Sequence, residues 1–320
     1  MNKTTSLKNK TSLSLEYSEP FSFEKTFYAP SRFKSGLEHF DGKNYFLSFR
    51  YAKESFGLKF YMKSKKLCLD VYSSRKISDS KLKDISDEIS FRFFLKRDFS
   101  KLHKDFSKDK FLKNALERSK GKHIVSIYNL YENLIISTFL QNATIQRTIS
   151  MCDNMLNTYG SKIEFDGCTL KCLWDAENFN PTEDDLRKLK VGYRAKNILR
   201  IHNHFKELSV TERELRKLEV LKLVKELLKI YGVGKQTVFY LVLGQFHVTD
   251  YLKHIPLWER KILSYYLFKK ELVDEKELVD WFNNRYKTWS GYAVSLIMED
   301  VFHQHKLKPL PWMKKIMRED

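Results

Sequence analysis

The sequence has no long hydrophobic run and only a few cysteines. No stretch approaches the ~18 consecutive apolar residues of a membrane-spanning helix. The first 20 residues are polar and lack the apolar centre of a signal peptide. These absences argue against a membrane protein or a secreted one. We expect an intracellular protein, either cytoplasmic and associated with the nucleoid or nuclear, with no membrane partner.

Cysteine pairs that could hold a metal are also scarce. Of the four cysteines, only Cys168 and Cys172 lie close together, with three residues between them. A zinc or iron–sulfur site normally needs a second such pair. We therefore expect reduced, partly buried thiols and no metal site.

Acidic residues are fewer than basic ones. The chain has 58 lysines and arginines against 40 aspartates and glutamates, which gives a net charge of +18. A surplus of this size favours an acidic polymer as partner, most often nucleic acid. A solvated basic surface and an anionic membrane are the alternatives. The length of 320 residues suits one large domain or two modest ones.

The hydrophobic period of the chain changes near residue 122. Before that point, several segments alternate apolar and polar residues, which indicates antiparallel strands with one covered face. These segments are 44–52, 56–74 and 87–95. We predict a flexible tail over residues 1–20 and a β-rich domain over 21–122, with a short helix over 76–85.

The remainder of the chain, from 123 to 320, has helical spacing. One helical run ends at Gly160, and Thr182 precedes an acidic first turn that suits a helix N-terminus. A long amphipathic helix is predicted from about Thr211. The predicted fold class is α+β, with an N-terminal antiparallel β-rich domain followed by an all-α domain whose central hairpin spans 226–246.

That hairpin contains a short glycine turn between two apolar helical runs. Gly232, Val233 and Gly234 form the turn, and Lys235 begins the second run. Such a tip presents backbone N–H groups and the positive end of a helix dipole, which suits a phosphate. Glycine permits close approach and a positive φ. A plain corner between two helices is the alternative, and the net charge favours a DNA backbone.

The segment "IYGVGKQTVFYLVL" resembles the helix-hairpin-helix motif of the HhH-GPD superfamily of DNA glycosylases. In that superfamily the pattern Leu-Pro-Gly-Val-Gly-x-Lys-Thr-Ala precedes an apolar helix. Three further segments resemble the superfamily in the same order: a helix pair over 130–160, the run "GYRAK" at 192–196 and a final helix over 289–302. The β-rich front resembles the 8-oxoguanine and alkylbase branches.

The resemblance implies two groups of DNA contacts. The hairpin group comprises Gly232, Val233, Gly234, Lys235 and Thr237. In the second group, Asn142 would fill the gap left by a flipped base, while Arg147 and the pair Tyr193–Arg194 would hold the base opposite. An amide can replace lost hydrogen bonds, and arginines can donate to the acceptors of cytosine. Surface charge or phosphate contact is the alternative for the arginines, and core packing for the tyrosine.

The resemblance leaves the catalytic positions open. Bifunctional members place a nucleophilic lysine two residues after Gly-Val-Gly, where this chain has Gln236. Lys235 is one residue early and should point about 100° away around the helix. The catalytic aspartate has no clean match, because a gapless alignment places Pro256 there. Asp250 and Glu259 are equal candidates for the catalytic carboxylate, and its absence is the third alternative. Without a catalytic role, Asp250 would be a helix cap and Glu259 part of an exposed helical face.

The predicted base pocket is aromatic and apolar. Phe239, Trp258, Val294 and Met298 are expected to line it. The 8-oxoguanine branch has glutamine and phenylalanine where this chain has Val294 and Met298, so its usual contacts to that base are not expected. An aromatic pocket suits a cationic alkylated base. Core packing is the alternative for these side chains.

Three functions follow from these expectations. The first is a monomeric, monofunctional DNA glycosylase of base-excision repair that hydrolyses the N-glycosidic bond of a flipped, damaged base in double-stranded DNA. It would need no cofactor, although the resemblance implies a monovalent cation at the hairpin carbonyls. The second is a non-catalytic member that binds damaged or bent DNA. The third is an 8-oxoguanine glycosylase/lyase with relocated catalytic residues.

Overall fold

A computed structural model of the protein describes residues 4–28, 35–207 and 211–318. The chain divides into two compact units. The first, which we call the sheet unit, comprises residues 1–97, 123–212 and 230–232. The second, the helical unit, comprises residues 98–122, 213–229 and 233–320. The two units therefore do not follow a single boundary at residue 122.

The sheet unit contains two β-sheets. Its described strands are β1 (Thr4–Ser6), β2 (Asn9–Leu15), β3 (Glu38–Phe40), β4 (Tyr45–Tyr51), β5 (Glu54–Lys63), β6 (Lys66–Ser73), β7 (Ser161–Phe165) and β8 (Cys168–Cys172). The larger sheet is antiparallel with the order β2-β6-β5-β4-β3. The smaller sheet has the order β1-β7-β8, and in it β1 runs parallel to β7.

Helices occur in both units. Those of the sheet unit are α1 (Phe23–Phe27), α2 (Asp79–Arg92), α5 (Leu130–Leu140), α6 (Ile145–Thr158), α7 (Glu183–Lys188) and α8 (Arg194–Glu207). Those of the helical unit are α3 (Ser100–Phe106), α4 (Lys113–Ser119), α10 (Val220–Lys229), α11 (Lys235–Gly244), α12 (Leu257–Phe268), α13 (Glu275–Tyr286), α14 (Ser290–Leu307) and α15 (Pro311–Arg318). A short helix, α9 (Glu212–Leu215), contains the point where the first unit ends. Within the described ranges, none of the helices is long and apolar enough to cross a membrane.

Both faces of the larger sheet are covered, because residues of β4 and β6 on one face pack against the smaller sheet and the other face forms the main core. Leu47 and Phe49 of β4 share a core with Leu58 of β5, and Ile85 and Ile89 of α2 pack into the same core. The prediction that these strands have only one covered face is therefore wrong. The observed architecture confirms the predicted α+β fold class, with an N-terminal antiparallel sheet and a helical C-terminal part.

Residues 4–15 are not a flexible tail. They form β1 and β2, and β2 pairs with β6 along its whole length. Leu15 is buried in the core, and Ser12 donates a 2.6 Å hydrogen bond to the buried Asp70. The polar composition of this segment misled the prediction, because the outward-facing residues of an edge strand are polar.

Residues 87–95 are not a strand either. Residues 87–92 are the last part of α2, which is capped by Ser78 and ends at Arg92, and residues 93–95 lie in the turn that follows. The residues that this helix buries are spaced by one and two helical turns, namely Ile85, Glu88, Ile89 and Arg92. Two of these are charged and form a buried ion pair, so the helical period was not visible in the apolar residues alone.

Two further predictions differ from the structure. The region predicted as all-helical contains the β7–β8 hairpin. The long helix predicted from Thr211 is broken into α9 and α10. The break follows Leu215, where the amides of Lys217 and Leu218 bond to carbonyls three residues back instead of four. The short helix predicted over 76–85 is the first part of α2.

Candidate functional site

The turn between α10 and α11 is built around two glycines. Gly232 has φ +81°, which favours glycine, although an added Cβ would meet no atom within 4 Å. Gly234 is the N-cap of α11, has an extended conformation and offers no side-chain hydrogen bond to the helix. The first amides of α11 therefore keep their donor capacity, as they do at helix N-termini that bind phosphate.

The side chains of this turn differ in exposure. Gly232, Gly234 and Lys235 are exposed, and Thr237 is half-buried. The Val233 side chain is buried, so only its backbone can face a ligand. The turn thus offers a ligand its main chain and one cation.

The predicted monovalent cation depends on main-chain oxygens. Residues 230–234 contain no acidic side chain, so their carbonyls would be the donors. Backbone carbonyls are ligands that potassium takes in proteins. The donor set fits a monovalent ion, and the site stays a prediction.

The two faces of α11 have different surroundings. Gln236 and Tyr240 lie one helical turn apart on one face. Lys235 instead lines a cavity of about 250 Å³ together with Val238 and Phe239. The rest of its lining comes from Val224, Leu228, Tyr251, Lys253 and His254. Lys235 therefore faces away from Gln236, in the direction expected from the helical period.

A buried carboxyl group stands beside the Gln236–Tyr240 face. Glu259 lies in the first turn of α12, after the cap Pro256, and is only 5% exposed. The Tyr240 hydroxyl donates a 2.7 Å hydrogen bond to its Oε1. The other oxygen, Oε2, is buried and has no hydrogen-bond partner among the described residues. A buried acceptor without a partner is costly and rare, so this group calls for an explanation.

Burial controls the charge of this carboxyl. It raises the pKa of Glu259 from an ordinary value of 4.5 to about 7, and the hydrogen bond from Tyr240 opposes this rise. Burial also raises the pKa of the Tyr240 hydroxyl, as does the Glu259 charge beside it. Hydrogen bonds from Trp258 and Gln236 act in the opposite direction. Four side chains therefore form one connected polar cluster, and its carboxyl changes charge near neutral pH.

The two candidate carboxylates have different environments. Asp250 is exposed, and its backbone carbonyl accepts a 3.4 Å hydrogen bond from Ser290. Glu259 is buried next to the residue that hydrogen-bonds with Gln236. Among these two, only Glu259 joins the cluster that contains Gln236.

The residues predicted to line a base pocket are mostly core residues. Val294 is fully buried in α14, and Met298 and Phe239 are nearly so. Trp258 is half-buried and packs near Phe302, with ring centroids 6.2 Å apart. Of the four, Trp258 alone joins the Glu259 cluster, and Phe239 lines the cavity on the other face of α11.

In the sheet unit, the turn between α5 and α6 presents Asn142. This residue is exposed and has φ +47°, a left-handed conformation that asparagine tolerates better than most residues. Its side-chain amide donates to the Tyr193 hydroxyl at 3.4 Å. The Tyr193 hydroxyl in turn donates to the carbonyl of Gln141 at 3.5 Å. The structure therefore brings Asn142 and Tyr193 together, as the resemblance implied.

Arg194 belongs to the same cluster but is only 1% exposed. Its guanidinium donates to the carbonyls of Thr138 and Asn142, each at 3.2 Å, and to that of Gln141. It also lies over the Tyr193 ring, 4.7 Å from the centroid. Nε and Nη2 of Arg194 are therefore directed at backbone acceptors in this structure, and the contact to an opposite base stays a prediction.

Arg147 and two apolar residues lie within five residues of Asn142 in the sequence, and all three are exposed. Arg147 is exposed in the first turn of α6, where its amide bonds to the capping Thr144. Leu140 and Ile145 are 42% and 59% exposed, although both are large and apolar. Exposed apolar side chains beside a polar turn are typical of a binding surface. Sequence reasoning did not single out these two residues.

Comparisons with solved structures identify the fold. MBOgg1, solved in complex with a low-affinity DNA ligand, is 19% identical, with 91% of this chain and 94% of that chain covered at a TM-score of 0.69. The 8-oxoguanine glycosylase/lyase of Clostridium acetobutylicum is 19% identical, with 93% and 98% covered at 0.68. The 3-methyladenine DNA-glycosylase from Archaeoglobus fulgidus is 13% identical, with 91% and 98% covered at 0.70. This chain has the fold of these DNA glycosylases. Its sequence matches no protein-family model and no curated protein at a significant level.

The fold that the resemblance implied is confirmed, because the likeness to these glycosylase structures covers more than nine-tenths of the chain. Sequence reasoning missed Tyr240 as the partner of Glu259. The signal available was its position one helical turn after Gln236, which places both residues on one face.

Proposed function

We propose that the protein is a monofunctional DNA N-glycosylase that removes a damaged base from double-stranded DNA. The observation that carries this proposal is the buried Glu259 carboxyl beside Tyr240, with a pKa of about 7 and one oxygen without a partner. A strongly perturbed pKa in a specific polar cluster is a property of catalytic groups. The glycosylase fold and the net charge of +18 support DNA as the substrate.

The proposed reaction is hydrolysis. Glu259, as carboxylate, removes a proton from a water molecule while the water oxygen attacks C1′ of the sugar. The C1′–N bond breaks, its electron pair leaves with the base, and the base takes a proton from solvent. The same carboxylate stabilises the positive charge that develops on the sugar. Gln236 cannot act as a nucleophile, so no covalent intermediate with the enzyme forms.

Tyr240 is the positioning residue in this proposal. Its hydroxyl fixes one oxygen of Glu259 and favours the anionic form through the hydrogen bond. The reaction rate should rise with pH up to about 7 and level off above it, because the carboxylate is the active form. In Tyr240→Phe the pKa of Glu259 rises further, so the rise in rate should move to higher pH.

The test uses duplexes that each carry one modified base, among them 3-methyladenine and 8-oxoguanine, followed by alkaline cleavage of abasic sites. We expect an intact abasic strand from at least one substrate before alkali. Glu259→Gln should lower the single-turnover rate by at least about a hundredfold, the scale of a lost general base. The matched control Asp250→Asn, at an exposed carboxylate, should keep the rate within about threefold, which is under 1 kcal/mol.

A second function, DNA binding without catalysis, is favoured by the residues that stand at the superfamily's two catalytic positions. Gln236 stands where bifunctional relatives have lysine, and Pro256 stands at the position that a gapless alignment gives the aspartate. A protein that binds damaged DNA without cleaving it would tolerate both changes. Tight binding to an abasic duplex with no product from any modified base would select this function.

A further inference from the structure

We propose that Arg194 is a positioning residue that shapes the turn at Asn142, and that it does not read the base opposite a lesion. The proposal rests on the proposed binding of a duplex with a flipped base. It concerns the sheet unit alone and assigns the reading of the opposite base to Arg147.

The first argument is the way α5 ends. Its C-cap, Gln141, is not a glycine, and the chain continues into the left-handed Asn142. The last carbonyls of a helix need partners from outside the helix. Arg194 supplies them, because it donates to the carbonyls of Thr138, Gln141 and Asn142. A cation at this end also complements the helix dipole.

The second argument is burial. A guanidinium can read a base only if it presents a pair of N–H donors as a free fork. In Arg194, Nε is bonded to the buried carbonyl of Thr138 and Nη2 to the partly buried carbonyls of Gln141 and Asn142, and the residue is 1% exposed. To reach a base, the side chain would have to leave those acceptors unpaired, which is unfavourable in a buried site.

The third argument concerns the side chains that this turn exposes to DNA in place of Arg194. With its backbone held by Arg194, Asn142 projects from the surface beside the half-exposed Tyr193, whose hydroxyl it contacts. Of the two arginines named by the resemblance, only Arg147 is exposed. Any preference for the opposite base must then come from Arg147, whereas Arg194 contributes equally whatever base lies opposite.

The first experiment measures affinity. Arg194→Met keeps the apolar stem and removes the donors. We expect Kd for a duplex with an abasic-site analogue to rise about tenfold, the scale of one lost hydrogen-bonding group, and by the same factor opposite A, C, G and T. A loss confined to one opposite base would overturn the proposal.

The second experiment measures amide hydrogen exchange without DNA. Arg194→Met should speed exchange at residues 139–143, since the turn loses its support, whereas the matched variant Arg147→Met should leave it unchanged. Arg194→Lys should restore most of both exchange protection and affinity, because an ammonium can donate to several carbonyls but cannot form a bidentate base contact. Unchanged exchange in Arg194→Met, or no recovery with lysine, would contradict the positioning role. If the wild type binds no abasic duplex, the proposed function fails, and the exchange data still decide the role of Arg194.

Discussion

The Tyr240 hydroxyl donates a 2.7 Å hydrogen bond to Oε1 of Glu259 and so connects the helix that follows the glycine turn to the next helix along the chain. Tyr240 lies on the same face of α11 as Gln236. Gln236 occupies the position where bifunctional members of the superfamily that the hairpin resembles carry lysine. The carboxyl group thus lies in the same polar cluster as that position, although it occupies a different place in the sequence from the expected aspartate. In the proposed mechanism, this carboxyl group takes the place of an amine nucleophile and activates water.

Glu259 should lower the stability of the protein at neutral and higher pH. Its folded pKa of about 7 lies above its ordinary value of 4.5, so its stabilising contribution is complete below pH 4.5 and is lost as pH rises to about 7. The full difference corresponds to about 3 kcal/mol. Glu259→Gln should therefore raise the free energy of unfolding at pH 8 by up to about 3 kcal/mol, with little change at pH 4.5.

Urea unfolding at both pH values measures this effect. Asp250→Asn serves as the control, because an exposed carboxylate should show no comparable difference between the two pH values. A Glu259→Gln protein that is less stable than the wild type at pH 8 would show that the anionic form is well solvated or paired in the folded protein.

Local patterns predicted the hairpin correctly but could not reveal the Glu259 cluster. The glycine turn and the different directions of Lys235 and Gln236, about 100° apart, follow from backbone geometry and the helical period, which a sequence displays directly. The burial of Glu259 depends on Tyr240, 19 residues earlier and in another helix. From sequence alone, the same glutamate was equally compatible with an exposed helical face.

The same limit applies to Arg194 and to the N-terminal strands. The resemblance assigned Arg194 to the same group of DNA contacts as Asn142, but the burial of its guanidinium depends on carbonyls more than 50 residues away in the chain. Residues 4–15 contain mostly polar side chains, and their strand pairing with β6 and β7 is entirely long-range. Local composition does not contain information of that kind.

DNA binding should be dominated by phosphate contacts. The motivation is the net charge of +18 and the uncapped first turn of α11. The logarithm of the binding constant should fall linearly with the logarithm of salt concentration, with a slope of several units at about 0.9 per neutralised phosphate. Lys235→Ala should reduce the slope by about one unit. A nearly flat salt dependence would contradict a phosphate-dominated interface.

Arg147→Ala should weaken binding in a way that depends on the opposite base. Arg147 is the exposed arginine five residues after Asn142, so its donors are available to a base edge. With a duplex that contains an abasic-site analogue, the loss should be about 1–3 kcal/mol opposite the preferred base and smaller opposite the others. Titrations against all four opposite bases measure it. Equal losses with all four would make Arg147 a phosphate contact only.

Gly232→Ala should destabilise the protein, whereas Gly234→Ala should not. Gly232 has φ +81°, where a side chain costs roughly 1–2 kcal/mol, and Gly234 has φ −97°, which any residue adopts. An added Cβ would meet no atom within 4 Å at either position, so conformation alone separates the two variants. Thermal unfolding compares them. Equal melting temperatures would show that the turn can relax to a negative φ.

Borohydride trapping tests the chemistry at Gln236. A lysine nucleophile leaves a Schiff base that borohydride reduces to a stable protein–DNA adduct, and an amide cannot form one because its nitrogen lone pair is delocalised. We expect no adduct and no strand break without alkali from the wild type. Gln236→Lys places an exposed amine beside Tyr240, and bound DNA that covers this face should desolvate the amine, lower its pKa and permit trapping on abasic DNA.

Lys235 provides the control for this experiment, because it faces the cavity on the opposite side of α11. With protein in saturating excess, so that the weaker DNA binding expected of Lys235→Ala does not matter, this change in the Gln236→Lys background should leave trapping unchanged, since the introduced amine alone should reach the sugar. Efficient trapping by the wild type that disappears in Lys235→Ala would show instead that Lys235 attacks C1′. The enzyme would then be a lyase with a relocated nucleophile, and the monofunctional assignment would be wrong.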